Sequence, residues 1–532
     1  MKPDGGSLIG FGSSGAGGAT FKGFDPAKNA SLEPSFTSAT IEDVNRAAEL
    51  AAAAAPGFAR LPGSGRARFM QAIAANLEAK AADLVERAMA ETALPRARLE
   101  GELARTANQL RLYGAAAEQG AWLDARIETA QPGRKPAPKP DHRSLLRALG
   151  PVAVFGSSNF PFAYSVAGGD TASAFAAGCP VIVKAHPAHP GTSELVGRLI
   201  LHAVRDCGLP EGVFSLLFDA GYEVGQALVR HPLIRAVGFT GSVKGGRALA
   251  DLGAARPAPI PVYAEMGSIN PVFILPGALA ERSEAIAAGL HASSTLEVGQ
   301  LCTNPGLIVL ERSPSAGQWV RDLAGRLLNT PEGAMLTPGI ARAFANLTAQ
   351  RAKQPGVTVV AKAPAGGAVA AAPVWFEVDA VNFLANPGLS EEIFGPSSLI
   401  VWCRDRAEML RVAGHLEGSL TATLHAGAGE VAAQGDLVEL LSDHAGRLIL
   451  NGYPTGVEVS HAIVHAGPYP ATSDGGRSTS VGTRALNRWA RPVCYQNFAA
   501  GLLPPELQDA NPLRIPRLVD GVLTTDAMPV RA

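Results

Sequence analysis

Between Arg147 and Ala254 the chain alternates short apolar, β-branched runs with segments of helical periodicity, and this rhythm restricts the fold more than any other feature. RALGPVAVFG, CPVIVKA, VFSLLF and AVGFTGS read as strands. The stretches Pro161 to Ala177, Thr192 to Asp206, Gly221 to Arg230 and onward from Lys244 read as helices. Strands that are apolar on both faces must be covered on both faces, and an intervening helix after each strand supplies that cover. The expected result is an α/β fold with a doubly wound parallel sheet and nucleotide-sized clefts at its strand ends. After about Pro257 the rhythm restarts with PVYAEM, PVFILP and a helix through Ala287, which predicts a second α/β unit. No internal repeat is visible.

Three helices are expected ahead of this region. Thr40 and Asp43 have the spacing of a capping box, followed by Ile41, Val44, Ala47, Ala48 and Ala51 on one face. Phe69, Ile73 and Leu77 mark a second helix, and Arg105, Leu110 and Leu112 a third. The Gly- and Ser-rich segment up to Phe24 reads as a flexible arm or a loose strand pair. Between Thr129 and His142 four prolines exclude helix and central strand and leave an exposed turn. The Pro- and Asn-rich tail from Arg491 is expected to wrap another domain or subunit.

At 532 residues the chain exceeds a single-core module. With 46 basic against 47 acidic residues it lacks the basic footprint of a nucleic-acid binder, and 47% hydrophobic residues exclude disorder. Five scattered cysteines without C-x-x-C pairing indicate neither a disulfide framework nor a zinc site, so a reducing compartment is expected. The N-terminus has no signal-like apolar core, and no stretch suits a bilayer span; the expectation is a cytoplasmic protein with no membrane partner.

The fingerprint G-x-G-x-x-G is absent, and FTGSVKGGR has Arg247 and Ala248 where a Walker loop carries Lys and Ser/Thr. What remains is a turn between strand and helix whose glycines let backbone approach an anion, or a plain joint. Three other residues stand out. Cys302 lies in the turn-prone GQLCTNPG, unlike Cys179 and Cys403 in apolar strand contexts. Glu265 ends the apolar run PVYAE, where an unpaired carboxylate is costly and is either a hidden salt bridge or a tuned base. Asn159 follows FGSS and precedes Phe160-Pro161. Singly, Cys302 can be a structural thiol and Asn159 a helix cap.

Taken in order, F-G-S-S-N-F-P, V-K-A-H-P, F-T-G-S-x-x-x-G, A-E-M-G, G-Q-L-C and E-E-I-F-G-P resemble the NAD(P)-dependent aldehyde dehydrogenase superfamily from about Leu32 onward. VKAHPAHPGTSE, NGYPTGVEVSHAIVHAGPYPATSD and RPVCYQNF resemble its 2,5-dioxovalerate (α-ketoglutaric semialdehyde) dehydrogenase branch, which includes bacterial NADP-dependent fatty aldehyde dehydrogenases. The resemblance implies two Rossmann-like doubly wound sheets plus an oligomerisation hairpin. Residues 1–124 and 149–256 would form a cofactor-binding domain, 257–484 a catalytic domain, and 125–148 with 485–532 the oligomerisation element of a homodimer or homotetramer. Two departures from the commoner pattern, Ser268 after Gly267 and Pro305-Gly306 after the cysteine, fit the branch.

By the same resemblance Cys302 is the nucleophile, Glu265 the general base and Asn159 the side-chain oxyanion donor. Lys184 and Glu392 would hold ribose hydroxyls, Phe394 the nicotinamide ribose, and Thr240, Gly241, Ser242 and Gly246 the pyrophosphate, with Ser157 and His186 also in the cofactor site. NADP is expected, with NAD possible, because Pro187 stands where NAD-selective relatives place a glutamate. No metal is required. Phe160 and Arg105 are expected to meet substrate; Arg111, six residues from Arg105, diverges from it by roughly 120°. The implied reaction takes 2,5-dioxopentanoate to 2-oxoglutarate. A medium- or long-chain aliphatic aldehyde is the alternative substrate. A cysteine acyltransferase or hydrolase, or an inactive structural relative, is the alternative of another class. The hydrolase would need a histidine base that none of the eleven histidines identifies.

Overall fold

The computed structural model describes residues 1–14 and 17–528. Its first sheet has the order Val262–Glu265, Ala236–Thr240, Val152–Phe155, Val181–Lys184, Phe214–Leu217, then Leu8–Ile9 and Gly12–Ser13. The first five strands are parallel. In sequence order their arrangement reverses beside Val152–Phe155, so the crevice for a ligand opens at the C-terminal ends of this strand and its neighbours. Every residue of Val152–Phe155, Val181–Lys184 and Phe214–Leu217 is buried, as strands covered on both faces require.

The strand Val262–Glu265 pairs with Ala236–Thr240 and completes the first sheet, so the second unit begins after Glu265 and not near Pro257. The second sheet has the order Thr358–Lys362, Val374–Asp379, Ser397–Cys403, Leu307–Glu311, Pro271–Ile274, Ser419–His425, Ala445–Leu450. Only Thr358–Lys362 runs antiparallel to its neighbour. A third sheet joins Ala490–Gln496, His142–Ala148, Ala125–Glu128, Arg517–Val519 and Val522–Thr524. The Pro-rich segment is therefore the exposed loop of a hairpin, and the C-terminal tail adds strands to both edges of that hairpin within the same chain.

Helix Ile41–Arg60 starts at the expected capping box, with Thr40 Oγ1 accepting from the Asp43 N–H and Asp43 accepting from the Thr40 N–H. Four helices, not three, precede the first parallel strand: Ile41–Arg60, Gly63–Ala79, Ala81–Thr92 and Arg96–Gln119. Ala81–Thr92 went unread because only Lys80 separates it from the helix before, with no glycine or proline to mark the join. The N-terminal segment is not a loose arm: Leu8 and Ile9 are buried and pair antiparallel with Phe214–Leu217.

The helix expected from Pro161 begins only at Gly169. The intervening backbone is held from outside, because Glu102 Oε1 accepts the N–H groups of Phe162 and Ala163 at 2.9 and 2.7 Å. That departure shapes the site, since the irregular segment carries Asn159, Phe160 and Tyr164 to the junction of the two large sheets.

Candidate active site

Cys302 follows the short helical turn Leu296–Gly299 and precedes strand Leu307–Glu311. Its loop is fixed by Asn270, a buried residue at φ 48° whose Nδ2 donates to the carbonyls of Cys302 and Asn304, both at 2.9 Å, and of Ser268 at 3.2 Å. Asn270 Oδ1 accepts from the hydroxyls of Ser268 at 2.8 Å and Thr421 at 3.0 Å. Ser268 Oγ in turn accepts the Leu420 N–H. The serine that departs from the commoner family pattern thus supports the asparagine that holds the cysteine loop.

The thiol faces His465, with Sγ 3.4 Å from Nε2. On its other side His465 Nδ1 lies 3.3 Å from Glu265 Oε2. Glu265 Oε1 accepts from Arg488 Nη2 at 2.6 Å, and Arg488 reaches Asp170 at 3.6 Å and Ser478 at 2.7 Å. Of the two readings open to a buried Glu265, the structure therefore contains the ion pair, and it also places the carboxylate behind a histidine. Glu265 and Arg488 are 2% and 1% exposed, so neither charge is balanced by water.

Burial works against a charged His465, yet Tyr164, Cys302 and Glu265 hold its imidazole well above the usual histidine range. Both ring nitrogens then carry protons, one aimed at the sulfur and one at the carboxylate. Burial, partly opposed by Arg488, pushes Asp170 up to about 6.

Asn159 is buried, and its Nδ2 donates to the Gln300 carbonyl at 2.9 Å, two residues before Cys302. This bond joins the Asn159 loop to the cysteine loop and leaves one amide proton for another acceptor. Phe160 lines a cleft of about 480 Å³ together with Cys302, Tyr164, Arg98 and Arg105. Arg105 donates to the Tyr164 hydroxyl at 3.2 Å through Nη2, while its buried Nη1 has no hydrogen-bond partner among the described residues. Arg111 points elsewhere and pairs with Glu78 at an exposed position.

The expected cofactor residues gather at the C-terminal edge of the first sheet. Thr240, Gly241 and Ser242 form the exposed turn into helix Val243–Ala254, with Ser242 as its cap. Gly246 does not face that turn; a Cβ there would lie 2.7 Å from Met266, so it serves helix-to-strand packing. Lys184 ends its strand and donates to the Asp219 carbonyl at 2.6 Å; burial pulls it down to about 8, against Asp219. Ser157 Oγ is buried without a partner among the described residues, which suits a ligand hydroxyl or phosphate. His186 is held well below the usual range by burial and by His189 and Lys184, so it enters the site neutral. Glu392 lies against Gly267, where a Cβ would come within 2.4 Å of its carboxylate, and burial pushes its carboxyl up to about 8. Phe394 is half-buried in the same turn, and the following Gly395 carbonyl accepts from Asn304, tying this turn to the cysteine loop. These groups fit a dinucleotide laid across the strand ends toward Cys302. Among the described residues no cluster of three or more His, Cys, Asp or Glu side chains is arranged to hold a metal ion, and no helix is long and apolar enough to cross a membrane.

His465, Arg488 and Asn270 were missed from sequence. The first two lie 200 and 223 residues from Glu265, with no local spacing to betray them. For Asn270 a signal existed, because an asparagine directly before an apolar strand is suited to a left-handed backbone. The raised His465 gives a pH prediction with a definite sign. In His465→Gln, which cannot carry the second ring proton, iodoacetamide alkylation of Cys302 should shift to higher pH than in the wild type. An unchanged profile in that variant would remove His465 from thiol ionisation.

Comparison with known proteins agrees with this fold. The alpha-ketoglutaric semialdehyde dehydrogenase 2 of Azospirillum brasilense is 52% identical over 529 residues, covering 98% of this chain and 99% of that protein. The alpha-ketoglutaric semialdehyde dehydrogenase of Acinetobacter baylyi is 45% identical over 491 residues, covering 92% and 93%. Lactaldehyde dehydrogenase from Escherichia coli superposes with a TM-score of 0.80 at 21% identity, covering 92% of this chain and 98% of that one. The NAD+ complex of an aldehyde dehydrogenase from Bacillus cereus gives 0.78 at 21% identity, covering 92% and 96%. Residues 14–462 match the family model described as the aldehyde dehydrogenase family, to which this chain therefore belongs.

Proposed function

We propose that this chain oxidises an aldehyde bearing a remote carboxylate, 2,5-dioxopentanoate to 2-oxoglutarate, with Cys302 as nucleophile. The observation that carries the substrate is Arg105: a guanidinium in the Cys302 cleft with one buried N–H unsatisfied, a position where a carboxylate would complete its bonding. The names of the two relatives at 52% and 45% identity point to the same semialdehyde. Phe160 and Tyr164 would flank the aliphatic part, their rings 5.1 Å apart.

An aldehyde carbon has no electron pair with which to expel hydride until a nucleophile has added. The Cys302 thiolate, paired with the His465 imidazolium, adds to the carbonyl carbon, and the π electrons move onto oxygen. That oxyanion is met by the free amide proton of Asn159 and by the Cys302 backbone N–H, donors whose individual loss typically costs about 10²–10³ in rate. NAD(P), when bound, supplies the hydride acceptor. Lys184, Ser157, the turn Thr240–Ser242, Glu392 and Phe394 would hold it and present its reactive face to the cysteine. Once the sulfur is acylated its negative charge is gone, and with it part of the support for the extra proton on His465. Once that proton has passed to solvent, the His465–Glu265 pair can take another from the water that attacks the thioester, the C–S bond breaks with its electrons returning to the Cys302 sulfur, and Arg488 keeps Glu265 oriented. A Cys–His pair also suits a cysteine hydrolase, whose acyl-enzyme would be opened in the same way. The crevice at the parallel strand ends favours the dehydrogenase. The five-stranded sheet would serve assembly of a cytoplasmic homodimer or homotetramer, with the unit built on the first sheet, which ends at Glu265, acting as the cofactor domain and the unit built on the second sheet as the catalytic domain.

Three measurements test these assignments. Across an aldehyde series, kcat/KM should be highest for 2,5-dioxopentanoate, and Arg105→Ala should raise its KM while leaving butanal little changed. A steady rise from butanal to decanal, with no advantage for the dioxo acid, would instead support an apolar funnel, which gains about 0.8 kcal/mol per buried methylene. Glu265→Gln should show a pre-steady-state burst of reduced cofactor followed by slow turnover. Loss of the burst would assign Glu265 to thiol ionisation and not to hydrolysis. For the cofactor, Lys184 without a carboxylate at position 187 favours a 2′-phosphate, so kcat/KM should be higher with NADP than with NAD. A strong NAD preference would refute that.

A further inference from the structure

On the outer wall of the cleft Arg98 makes contacts that the reaction scheme does not use. It stands in the first turns of helix Arg96–Gln119, and its guanidinium is bound by two carboxylates, Glu102 through Nη1 and Glu297 through Nε. A third contact, from Nη2 to the Asn159 carbonyl, measures 3.4 Å, and the group lies 4.7 Å above the Phe160 ring. Arg98 thus touches both loops that would meet at the reacting carbon: the one bearing Asn159, and the one bearing Cys302 through Glu297.

The second loop is held in a costly conformation. Glu297, Val298 and Gly299 lie in succession at φ 53°, 58° and 64°. A left-handed backbone is unusual for any side-chain-bearing residue and is an outlier for a β-branched one such as Val298. It persists because its surroundings fix it: Gln300 Nε2 bonds the Glu297 carbonyl at 3.2 Å, and Val298 packs where a Cβ on Gly333 would collide with it at 2.5 Å. Only Arg98 bonds the Glu297 carboxylate, whose second oxygen is buried and unpartnered among the described residues.

We propose that Arg98 is a positioning residue that, by gripping Glu297 and the Asn159 carbonyl together, holds the strained turn in place and sets the separation between the Cys302 sulfur and the Asn159 amide. The inference rests on the assignment of Cys302 and Asn159 above. Its action is on geometry, not on thiol ionisation, which His465 controls from the opposite side. Lysine at this position would keep the charge but not the planar fork that serves three partners at once.

The test compares Arg98→Met, Arg98→Lys, Glu297→Gln and the double variant Arg98→Met/Glu297→Gln, with propanal and with 2,5-dioxopentanoate. Misplacement by about 1 Å can cost 10²-fold, so kcat should fall by about that factor for both aldehydes, with KM held within about threefold. Arg98→Lys should not rescue it. The double variant should lose no more than the worse single one, because both act through one contact. Iodoacetamide alkylation of Cys302 should keep its wild-type pH profile, a result a general structural collapse would not give. The proposal is overturned if kcat is retained in the single variants, if the losses add, or if the only effect is a raised KM for the dioxo acid, which would make Arg98 a substrate reader. Should Arg98→Met not fold, Glu297→Gln decides alone by the same criteria. Turnover by Cys302→Ala, measured beside them, would refute the nucleophile assignment and is distinct from any of these outcomes.

Discussion

A guanidinium shut off from water organises the reaction centre. Arg488, 1% exposed, meets Glu265, Asp170 and the Ser478 hydroxyl, and the adjacent Trp489 donates to Ser173 at 2.7 Å. Glu265 ends the last strand of the first sheet, Asp170 opens the helix after the Asn159 segment, and Arg488 arrives from the C-terminal part of the chain. Removing one partner of such a buried set typically costs about 3–5 kcal/mol, because the charge left behind has no water to turn to. The interaction is therefore both a fastener between distant segments and the support on which the histidine, and through it the cysteine, depends.

The electrostatics form an alternating chain. Cys302, His465, Glu265, Arg488 and Asp170 follow one another as acid, base, acid, base, acid, each next to a partner of opposite sign. Fully ionised, the array carries one negative charge more than positive, and Asp170, titrating near 6, is the member at which that excess is least well held. Glu265 and Arg488 stand between this weak link and the Cys302–His465 contact. The geometry also explains why the carboxylate was visible in the sequence and the histidine beside it was not. Glu265 interrupts an apolar strand, which is a local fact, whereas its distance from the sulfur is set by His465, which is not.

Much of the parallel core was legible because burial on both faces writes itself into consecutive residues: VAVF, VIVK and FSLL are strands where they were expected. Thr40 and Asp43 announced a helix start for the same local reason. Errors fall where a distant group decides. Residues 161–168 have a plausible helical composition, but Glu102, 60 residues upstream of Phe162, takes the N–H groups of Phe162 and Ala163. The strand Val262–Glu265 looks like the start of a new unit until its partner, Ala236–Thr240, is known. In the candidate site, the motif residues lie at strand ends and glycine turns, while His465 and Arg488, which contact Cys302 and Glu265, come from parts of the chain with no pattern of their own.

The charges around the cleft bear on what it can admit. Its two cationic side chains, Arg98 and Arg105, share the wall with Glu102, Glu297 and Glu458. Were all of them free, the cleft would be net acidic and would repel an anionic aldehyde. They are not free: Glu102 and Glu297 are both hydrogen-bonded to Arg98, which offsets one of their two charges, and Glu102 also accepts from two backbone N–H groups. Glu458 is exposed, where water screens it. Arg105 is different, because among the described residues its one side-chain hydrogen bond goes to the Tyr164 hydroxyl and not to a carboxylate. Arg105 is thus the guanidinium of this wall with no carboxylate hydrogen-bonded to it among the described residues, half-buried, on the route to the cysteine. An apolar funnel for long alkyl chains would gain nothing from such a charge and would lose by burying it. A short chain ending in a carboxylate turns the same charge into a charge-assisted pair, and this asymmetry separates the two substrate classes more sharply than the size of the cleft does.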